Sequence, residues 1–316
     1  MSYSAKLLTA IRLLLGGDWT LLKHQARANL ADWRVRRARG RPIVYRDFGF
    51  PMVCHLDWPD SLRYFGHQDV DEWETRLMRR WLEPGDTAFD FGANIGIYTF
   101  AAAAAVGRRG RVVAIDADPH VVEKLRSGAQ ILDTPQVTPV HRAITQENGS
   151  VTFYIRANHQ DTGGQSLRPE EADRAACTAV TVPACTVPLL LGELEITAVP
   201  ALVKVDIEGA EVMMLAATPP GWFAADGPLW LIEINPGALA KFGATPRAVA
   251  DFFPPAHFDC WLLPKHPVDP ADSPRLRRLT ATTTFADSHY YNVFALPRDA
   301  SRQSRRRRLA RFFPGA

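Results

Sequence analysis

Apolar and polar positions alternate along the chain with two periods. Short, nearly continuous apolar runs start near residues 87, 112, 137, 202 and 229. Segments with helical spacing separate these runs, which is typical of a parallel sheet with helices packed on both faces. Two later runs, near residues 258 and 290, have no long helix between them and predict an antiparallel pair at the sheet edge. The pattern therefore predicts an α/β protein with a mostly parallel, seven-stranded sheet.

The pattern changes on either side of this region. We expect a helical N-terminal extension and an aromatic-rich lead-in over residues 1–83, an α/β domain over residues 84–297, and a basic, disordered tail over residues 298–316. The extension begins with apolar residues at helical spacing, namely Leu7, Leu8, Ile11, Leu14 and Leu15. This helix is expected to pack on the core or on a second subunit, as in a homodimer. Contact of the basic helix or of the tail with an anionic surface is the alternative.

The region between the third and fourth runs predicts a hairpin and a cover. Asn148-Gly149 is a dipeptide typical of a two-residue hairpin turn. Residues 157–185 are rich in turn-forming and polar residues. We expect them to form a mobile cover over the crevice at the carboxyl ends of the strands.

The strongest motif follows the first apolar run. Asp90, Gly92 and Gly96 have the spacing D-x-G-x-x-x-G, between a buried strand and an alanine-rich helix. Gly92 can adopt a positive φ and leaves room for a ligand beside the backbone. Turns that bind dinucleotides carry G-x-G-x-x-G, whose second glycine admits a pyrophosphate, and here Ala93-Asn94 takes that place. The turn thus favours a ligand without phosphate at this point, and S-adenosylmethionine (SAM) is the common one.

An acidic residue ends the next strand. Asp116 lies twenty residues beyond Gly96, the offset expected of a carboxylate that accepts hydrogen bonds from both ribose hydroxyls. With the glycine turn, it indicates a cofactor that contains adenosine. Asp118, just before Pro119, is either a helix N-cap or a further ligand contact.

A third acidic segment, Asp206-Ile-Glu-Gly-Ala-Glu211, follows the fourth apolar run. Ligands of doubly wound sheets bind outside the carboxyl ends of the strands. Asp206 and Glu208 are therefore expected to face the same crevice as Asp116. Glu211 is expected only to stabilise the N-terminus of the following helix.

Taken together, these motifs resemble a known family. Asp90-Phe-Gly-Ala-Asn-Ile-Gly96 and Lys204-Val-Asp-Ile-Glu-Gly-Ala-Glu211 are similar to the core motifs of the FkbM-type methyltransferases, and the resemblance spans roughly residues 65–297. It implies a Rossmann-like class I methyltransferase fold and transfer of a methyl group from SAM, mostly to hydroxyls of sugars and polyketide-type natural products. One segment departs from the family, because Cys185-Thr-Val187 replaces a Thr-Leu-Asp segment.

The motifs and the resemblance together give a set of expected cofactor contacts. These residues are Asp90, Gly92, Ala93, Asn94, Gly96, Asp116, Ala117, Ala143 and Asp206. A hydroxyl acceptor is a poor nucleophile, so a general base is expected as well. The catalytic candidates are Asp206, Glu208, Glu233 and His159, with His67 as a further histidine. In an alternative arrangement Asp206, Glu208, Glu233 and Asn235 hold a divalent cation, but we assign no metal.

Composition and charge limit the other classes of function. Four cysteines without C-x-x-C spacing are typical of the reduced thiols of a cytoplasmic protein. No apolar run is long enough to span a membrane. Residues 1–41 carry a net charge of +7 and residues 298–316 one of +6, so the region between them carries −10. An acidic central region argues against a broad nucleic-acid surface over the active site. The family resemblance implies a small-molecule or glycan acceptor.

Three rival functions stay open. The first is a nucleic-acid base methyltransferase. Enzymes of that class share an (Asp/Asn/Ser)-Pro-Pro-aromatic loop after the fourth strand, and this chain has Asp206-Ile-Glu-Gly209 there, which argues against the class. A nicotinamide dehydrogenase needs the second glycine that the first turn lacks. The third rival is a non-catalytic binding module in which the methyltransferase fold serves only as a scaffold, and the complete set of Asp90, Gly92, Gly96 and Asp116 counts against it.

Overall fold

A computed structural model describes residues 19–65, 72–156, 165–169, 174–265, 276–286 and 290–313. Ten helices lie in these ranges: α1 Trp19–Ala38, α2 Pro59–Tyr64, α3 Glu72–Trp81, α4 Ile97–Val106, α5 Pro119–Ile131, α6 Val187–Glu193, α7 Glu211–Ala216, α8 Pro236–Lys241, α9 Pro246–Ala250 and α10 Gln303–Leu309. The strands are β1 Ile43–Tyr45, β2 Met52–Cys54, β3 Thr87–Phe91, β4 Arg111–Asp116, β5 Val137–His141, β6 Ala143–Ile144, β7 Gly149–Arg156, β8 Cys177–Cys185, β9 Leu202–Val205, β10 Leu229–Ile234, β11 Phe258–Lys265, β12 Arg277–Arg278 and β13 Tyr290–Pro297. No helix within the described ranges has the length and apolar character needed to cross a bilayer.

Several helices begin with the same local device. Asp118, Thr186, Asn235 and Thr245 each accept a hydrogen bond from a backbone N–H in the first turn of the helix that follows. Each of these helices also has a proline in its first turn, where the missing N–H costs no hydrogen bond. The N-cap interpretation of Asp118 is thereby confirmed, since its side chain accepts from the backbone N–H of His120 at 2.8 Å.

The main sheet has the strand order β12-β11-β13-β10-β9-β3-β4-β5. The neighbours from β10 to β5 pair in parallel, whereas β13 pairs antiparallel with both β10 and β11. The predicted α/β class, the parallel strands and the antiparallel edge pair are confirmed. The predicted number of seven strands is wrong by one, because the two-residue strand β12 pairs with β11. A strand this short leaves no apolar pattern in the sequence.

Helices cover both faces of the sheet, so its central strands are buried on both sides. One face of β3, β9 and β10 packs in a cluster that contains Phe89, Val203 and Trp230. The opposite face packs against α3 and α4 in a second cluster, which contains Ala88 and Leu202. Burial on both faces explains why these strands have continuous apolar sequences instead of alternating ones.

The lead-in packs in the same apolar cluster as the second face of the sheet. Its aromatic residues Tyr45, Phe48, Phe50 and Trp58 are buried there beside α3 and α4. Helix α1 lies at the start of the described chain and contacts β1. The predicted apolar helix between Leu7 and Leu15 lies outside the described residues, so the N-terminal extension stays a prediction.

A separate small sheet has the strand order β6-β8-β7. The hairpin predicted at Asn148-Gly149 is wrong, because β6 pairs in parallel with β8 and not with β7. The cover predicted over residues 157–185 is wrong for residues 177–185, which form β8. Strand β8 is exposed or half-buried over most of its length, since its buried residues all lie in its second half, and it contains Pro183, which argues against a central strand in a sequence.

Residues 300–309 are helical and residues 310–313 form a turn that packs on the core, so the prediction of a disordered tail is wrong there. Leu309 and Phe313 are fully buried, and the ring of Phe313 lies 5.9 Å from that of Phe294. The Arg305 guanidinium donates to both carboxylate oxygens of Asp86, at 2.5 and 3.0 Å. The segment that contains the arginine run therefore also has apolar side chains that pack on the core, and the charge of Arg305 is neutralised by Asp86.

Replacement of Arg305 by Met is expected to reduce the free energy of unfolding by about 3 kcal/mol, because it leaves the mostly buried Asp86 without its cation. The matched control is Arg307→Met, in the same helix, where the side chain is exposed. The control is expected to change the free energy of unfolding by less than about 0.5 kcal/mol. Urea denaturation measures the free energy of unfolding of both variants. Equal decreases in the two variants would contradict a stabilising role of the Arg305–Asp86 ion pair.

Candidate active site

A cleft opens at the carboxyl ends of β3, β4, β5 and β9. Residues of β7 and of the segment 165–169 close its other side. Its lining consists of Gly92, Asn94, Ile115, Asp116, Ala117, Arg142, Ala143, Ile144, Phe153, Gln165, Leu167, Asp206, Ile207, Glu208 and Ala210. The cleft lies where ligands of doubly wound sheets are expected to bind.

The glycine turn after β3 is fixed by its neighbours on both sides. The backbone N–H groups of Gly92 and Ala93 donate to Ile115 O at 2.9 and 3.1 Å. Gly92 has a φ of +80°, and a Cβ at this position would lie only 1.7 Å from Asp206 O. No side chain fits there, so the turn after β3 lies directly against the end of β9.

Asp116 ends β4 on the floor of the cleft and is partly accessible from it. Its Oδ2 accepts from the backbone N–H of Asn94 at 3.0 Å, and its Oδ1 from that of Asp118 at 2.9 Å. Burial raises the pKa of Asp116 to about 7, although these two N–H groups favour the ionised form. Each carboxylate oxygen keeps a further lone pair with which it can accept from a ligand hydroxyl.

A buried ammonium group supports the carboxylate at the end of β9. Lys204 is fully buried, and its Nζ donates to Asp206 Oδ2 at 3.1 Å and to Val205 O at 3.3 Å. The same Nζ lies 4.9 Å from the centre of the Tyr98 ring. A charge buried this deeply must be paired, so Lys204 and Asp206 hold each other in place.

The turn after Asp206 presents Glu208 to the cleft. Glu208 has a φ of +52°, which is uncommon for a residue other than glycine and costs free energy. Behind it, Glu211 Oε1 accepts from the N–H groups of Ile207 and Gly209 at 3.2 and 3.1 Å. Burial raises the pKa of Glu211 to about 7. Glu211 therefore braces the turn that carries Glu208, which is more than the helix-terminal role expected from the sequence.

The structure brings most of the predicted site residues to the cleft. Those that line it are Gly92, Asn94, Asp116, Ala117, Ala143, Asp206 and Glu208. Asp90, Ala93 and Gly96 do not line it. Asp90 is buried behind the turn, where its Oδ2 accepts from Thr99 Oγ1 at 2.5 Å and burial raises its pKa. Gly96 has a φ of +86° and starts α4. Its missing side chain leaves room for Phe100 and Leu125.

Two further candidates lie away from the cleft lining. Glu233 lies in β10 opposite Asn292 of β13. Asn235 is occupied as a helix cap, because its Oδ1 accepts from Ala238 N at 3.1 Å. The predicted cation ligands therefore do not converge, and no group of three His, Cys, Asp or Glu side chains suited to a metal occurs in the described part of the chain. His159 and His67 lie outside the described residues.

Sequence reasoning missed several residues of the lining. Arg142 follows β5, Phe153 lies on β7, and Gln165 and Leu167 belong to the segment beside β7. The last two belong to Gly164-Gln-Ser-Leu167, which is similar to a segment of the FkbM-type enzymes but carries no chemistry that a sequence reveals. Only the pairing of this segment with β7, through the bridge between Tyr154 and Ser166, brings it to the cleft.

A family model described as the methyltransferase FkbM domain matches residues 90–254, which is more than half of the chain. This chain belongs to the FkbM methyltransferase family. It is accordingly a SAM-dependent methyltransferase of class I, as its motifs predict. The cleft suits that cofactor, since the turn residues Gly92 and Asn94 line it and Asp116 offers a carboxylate for ribose hydroxyls.

Solved structures with similarity to this FkbM family member are distant. A precorrin-6y C5,15-methyltransferase from Geobacter metallireducens is 12% identical with a TM-score of 0.37, over 71% of this chain and 87% of the other. A SAM-dependent O-methyltransferase from Thermotoga maritima is 13% identical with a TM-score of 0.35, over 72% and 65%. An rRNA methylase from Streptococcus thermophilus is 9% identical with a TM-score of 0.37, over 71% and 95%. No curated protein matches the chain.

The affinity of this FkbM family member for SAM is expected to rise about tenfold from pH 6 to pH 8, as Asp116 ionises through its pKa of about 7. The ionised carboxylate accepts from ribose hydroxyls and attracts a cationic cofactor, whereas the protonated form does neither as well. Calorimetric titration at three pH values measures the slope. Asp116→Asn should bind more weakly without this slope, and Glu211→Gln should retain it. An Asp116→Asn variant with the wild-type slope would contradict the assignment.

Glu211→Gln is expected to stabilise the protein at pH 8 by up to about 3 kcal/mol and to leave it unchanged below pH 4.5. The pKa of Glu211 is raised on folding from 4.5 to about 7, so its contribution is complete below 4.5 and is lost as the pH rises through 7. The Gln amide oxygen can still accept from both N–H groups of the turn. Urea denaturation at pH 4.5 and pH 8 measures the difference, and a variant less stable than wild type at pH 8 would contradict the prediction.

Proposed function

We propose that this enzyme transfers the methyl group of SAM to a hydroxyl of a sugar, a glycan or a secondary metabolite. The observation that carries this proposal is the pair of carboxylates, Asp206 and Glu208, that line the same cleft as Asp116. Asp116 serves the ribose of the cofactor, and the other two serve the acceptor. A hydroxyl is both a hydrogen-bond donor and a weak acid, and it is the kind of acceptor that carboxylates recognise and activate.

Bound SAM supplies a methyl group that is already electrophilic. The main task of the protein is therefore to hold the acceptor oxygen in line with that methyl group. The turn at Gly92 lines the cleft beside Asp116, and Asp116 fixes the ribose of the cofactor. This division places the acceptor near the end of β9, where Asp206 and Glu208 lie beside the same turn.

The two carboxylates of the β9 end have different surroundings and serve different roles. Asp206 is paired with the buried ammonium of Lys204 at 3.1 Å, so its carboxylate is held in a fixed position. It is suited to orient the acceptor hydroxyl. Glu208 occupies the strained position at the tip of the turn and is suited to take the hydroxyl proton. We therefore assign the general base to Glu208.

Charge in the cleft favours a neutral acceptor over a nucleic acid. Among the described residues, the carboxylates of Asp116, Asp206 and Glu208 line it together with one cation, the guanidinium of Arg142. Arg142 is itself 3.5 Å from a carboxylate oxygen of Glu193. A phosphate backbone would be repelled here. Ile207, next to Asp206, adds an apolar side chain suited to the C–H face of a sugar or a polyketide ring.

Glu208→Gln is expected to lower kcat at least about a hundredfold while the Kd for SAM changes less than about twofold. The matched control is Glu195→Gln, because Glu195 has a similar φ of +54° but is exposed and outside the cleft lining. The control should keep wild-type kcat. Release of S-adenosylhomocysteine in the presence of acceptor measures the rate. Full activity of Glu208→Gln would refute the assignment of the base.

A panel of acceptors tests the substrate class in the same assay. It contains monosaccharides, oligosaccharides, hydroxylated polyketides and single-stranded RNA. The expected result is turnover with a hydroxylated acceptor, a methyl ether as product and none with RNA. Turnover with RNA alone would overturn the proposed acceptor class. Tight SAM binding without turnover on any acceptor would favour the non-catalytic module.

A further inference from the structure

Gln165 is a buried residue of the cleft to which the proposed reaction gives no role. Its side chain is only 5% exposed and lines the cleft. Its Nε2 is buried without a hydrogen-bond partner within the part of the chain that the structure describes. A buried donor without an acceptor costs free energy, and such groups in native proteins call for an explanation. A ligand in the cleft that offers an acceptor atom supplies one.

The backbone around Gln165 is held on two sides, so its amide is fixed in direction. Tyr154 N, on β7, donates to Ser166 O at 3.0 Å. Ser166 Oγ donates to Glu208 O at 3.2 Å, which ties the segment to the turn after β9. Gln165 and Leu167 both line the cleft, while the Ser166 hydroxyl between them bonds to the turn. The segment thus presents the Gln165 amide to a ligand with little entropic cost.

The surroundings of Gln165 indicate which part of the cofactor it meets. Ala117, Ala143, Phe153 and Leu167 belong to one apolar cluster, and all four line the cleft. This apolar wall begins at Ala117, directly after the ribose-binding Asp116. A wall of small and apolar side chains next to the ribose position suits a flat purine base. The ring nitrogens of adenine accept hydrogen bonds, and Gln side chains pair with adenine edges in nucleic-acid recognition.

We propose that Gln165 reads the adenine of SAM, with its Nε2 donating to a ring nitrogen of the base. Gln165 is then a specificity residue supplied by the segment packed on the small sheet and not by the main sheet. This inference rests on the cofactor of the family and on the cleft geometry. It does not depend on which acceptor is methylated.

The test combines a variant with ligands that lack one acceptor atom. Gln165→Met keeps the length of the side chain and removes the donor. The ligands are S-adenosylhomocysteine and its 1-deaza, 3-deaza and 7-deaza analogues, in each of which a C–H replaces a ring nitrogen. Calorimetric titration of each ligand against wild type, Gln165→Met and Arg168→Met gives twelve dissociation constants. Arg168 is the control because it lies in the same segment but contacts Lys241 O and the Phe242 ring outside the cleft lining.

We expect the Gln165→Met substitution and one of the deaza substitutions to weaken ligand binding by removing the same interaction, so that their effects on the dissociation constant do not add. Gln165→Met should bind S-adenosylhomocysteine about tenfold more weakly than wild type. One deaza analogue should bind wild type with a similar loss and lose nothing further with Gln165→Met. Arg168→Met should keep the wild-type preference for S-adenosylhomocysteine over that analogue.

Two results would overturn the proposal. The first is unchanged affinity of Gln165→Met for S-adenosylhomocysteine. The second is the same fractional loss in Gln165→Met for all four ligands, which is the signature of a packing role. A wild-type protein that bound none of the ligands would overturn the cofactor assignment and this proposal with it. Loss of turnover with unchanged ligand affinities would place Gln165 at the acceptor and also reject its role at the base.

Discussion

The close approach of the β3 turn to the end of β9 is the constraint on which the rest of the site depends. A Cβ on Gly92 would lie 1.7 Å from Asp206 O, so only glycine allows the two adjacent strands to end side by side. Asp206 N donates to Phe91 O at 2.9 Å and continues the parallel pairing up to this point. Because of that contact, the carboxylate at the end of β4 and the two carboxylates after β9 share one cleft.

A second constraint follows from burial of the sheet on both faces. Polar side chains within its central strands have no water to contact, so they must be paired inside the protein. Asp90 accepts from Thr99 Oγ1, Lys204 donates to Asp206, and Asn292 Nδ2 donates to Glu74 Oε1 at 2.7 Å. The first two of these pairs lie on or just behind the strand ends that surround the cleft. They hold its charged groups in fixed positions, which favours electrostatic preorganisation over flexibility.

The sequence predicted those parts of the fold and site that local chemistry determines. The parallel strands are apolar runs, and the glycine turn and the strand-end Asp116 and Asp206 are local motifs that need no knowledge of distant residues. The errors arose where distant contacts decide the structure. Strand β8 forms because β7 pairs with it, and α10 forms because Leu309, Phe313 and Arg305 find partners in the core. Gln165 reaches the cleft only through such a pairing.

Three arginines of the C-terminal run pair with carboxylates that are distant in the sequence, so the sequence alone suggests more free charge than the fold has. Arg305 bonds to Asp86, next to the start of β3, and Arg306 donates to Asp259 Oδ2 at 2.5 Å at the sheet edge. Arg308 reaches Glu83 at 2.7 Å. A run of like charges is normally solvated because its members repel one another. Here the guanidinium groups of Arg305, Arg306 and Arg308 are each paired with a carboxylate of another segment. These ion pairs offset the repulsion between the arginines. Helix α10 can therefore pack on the core close to β3, the strand that precedes the glycine turn.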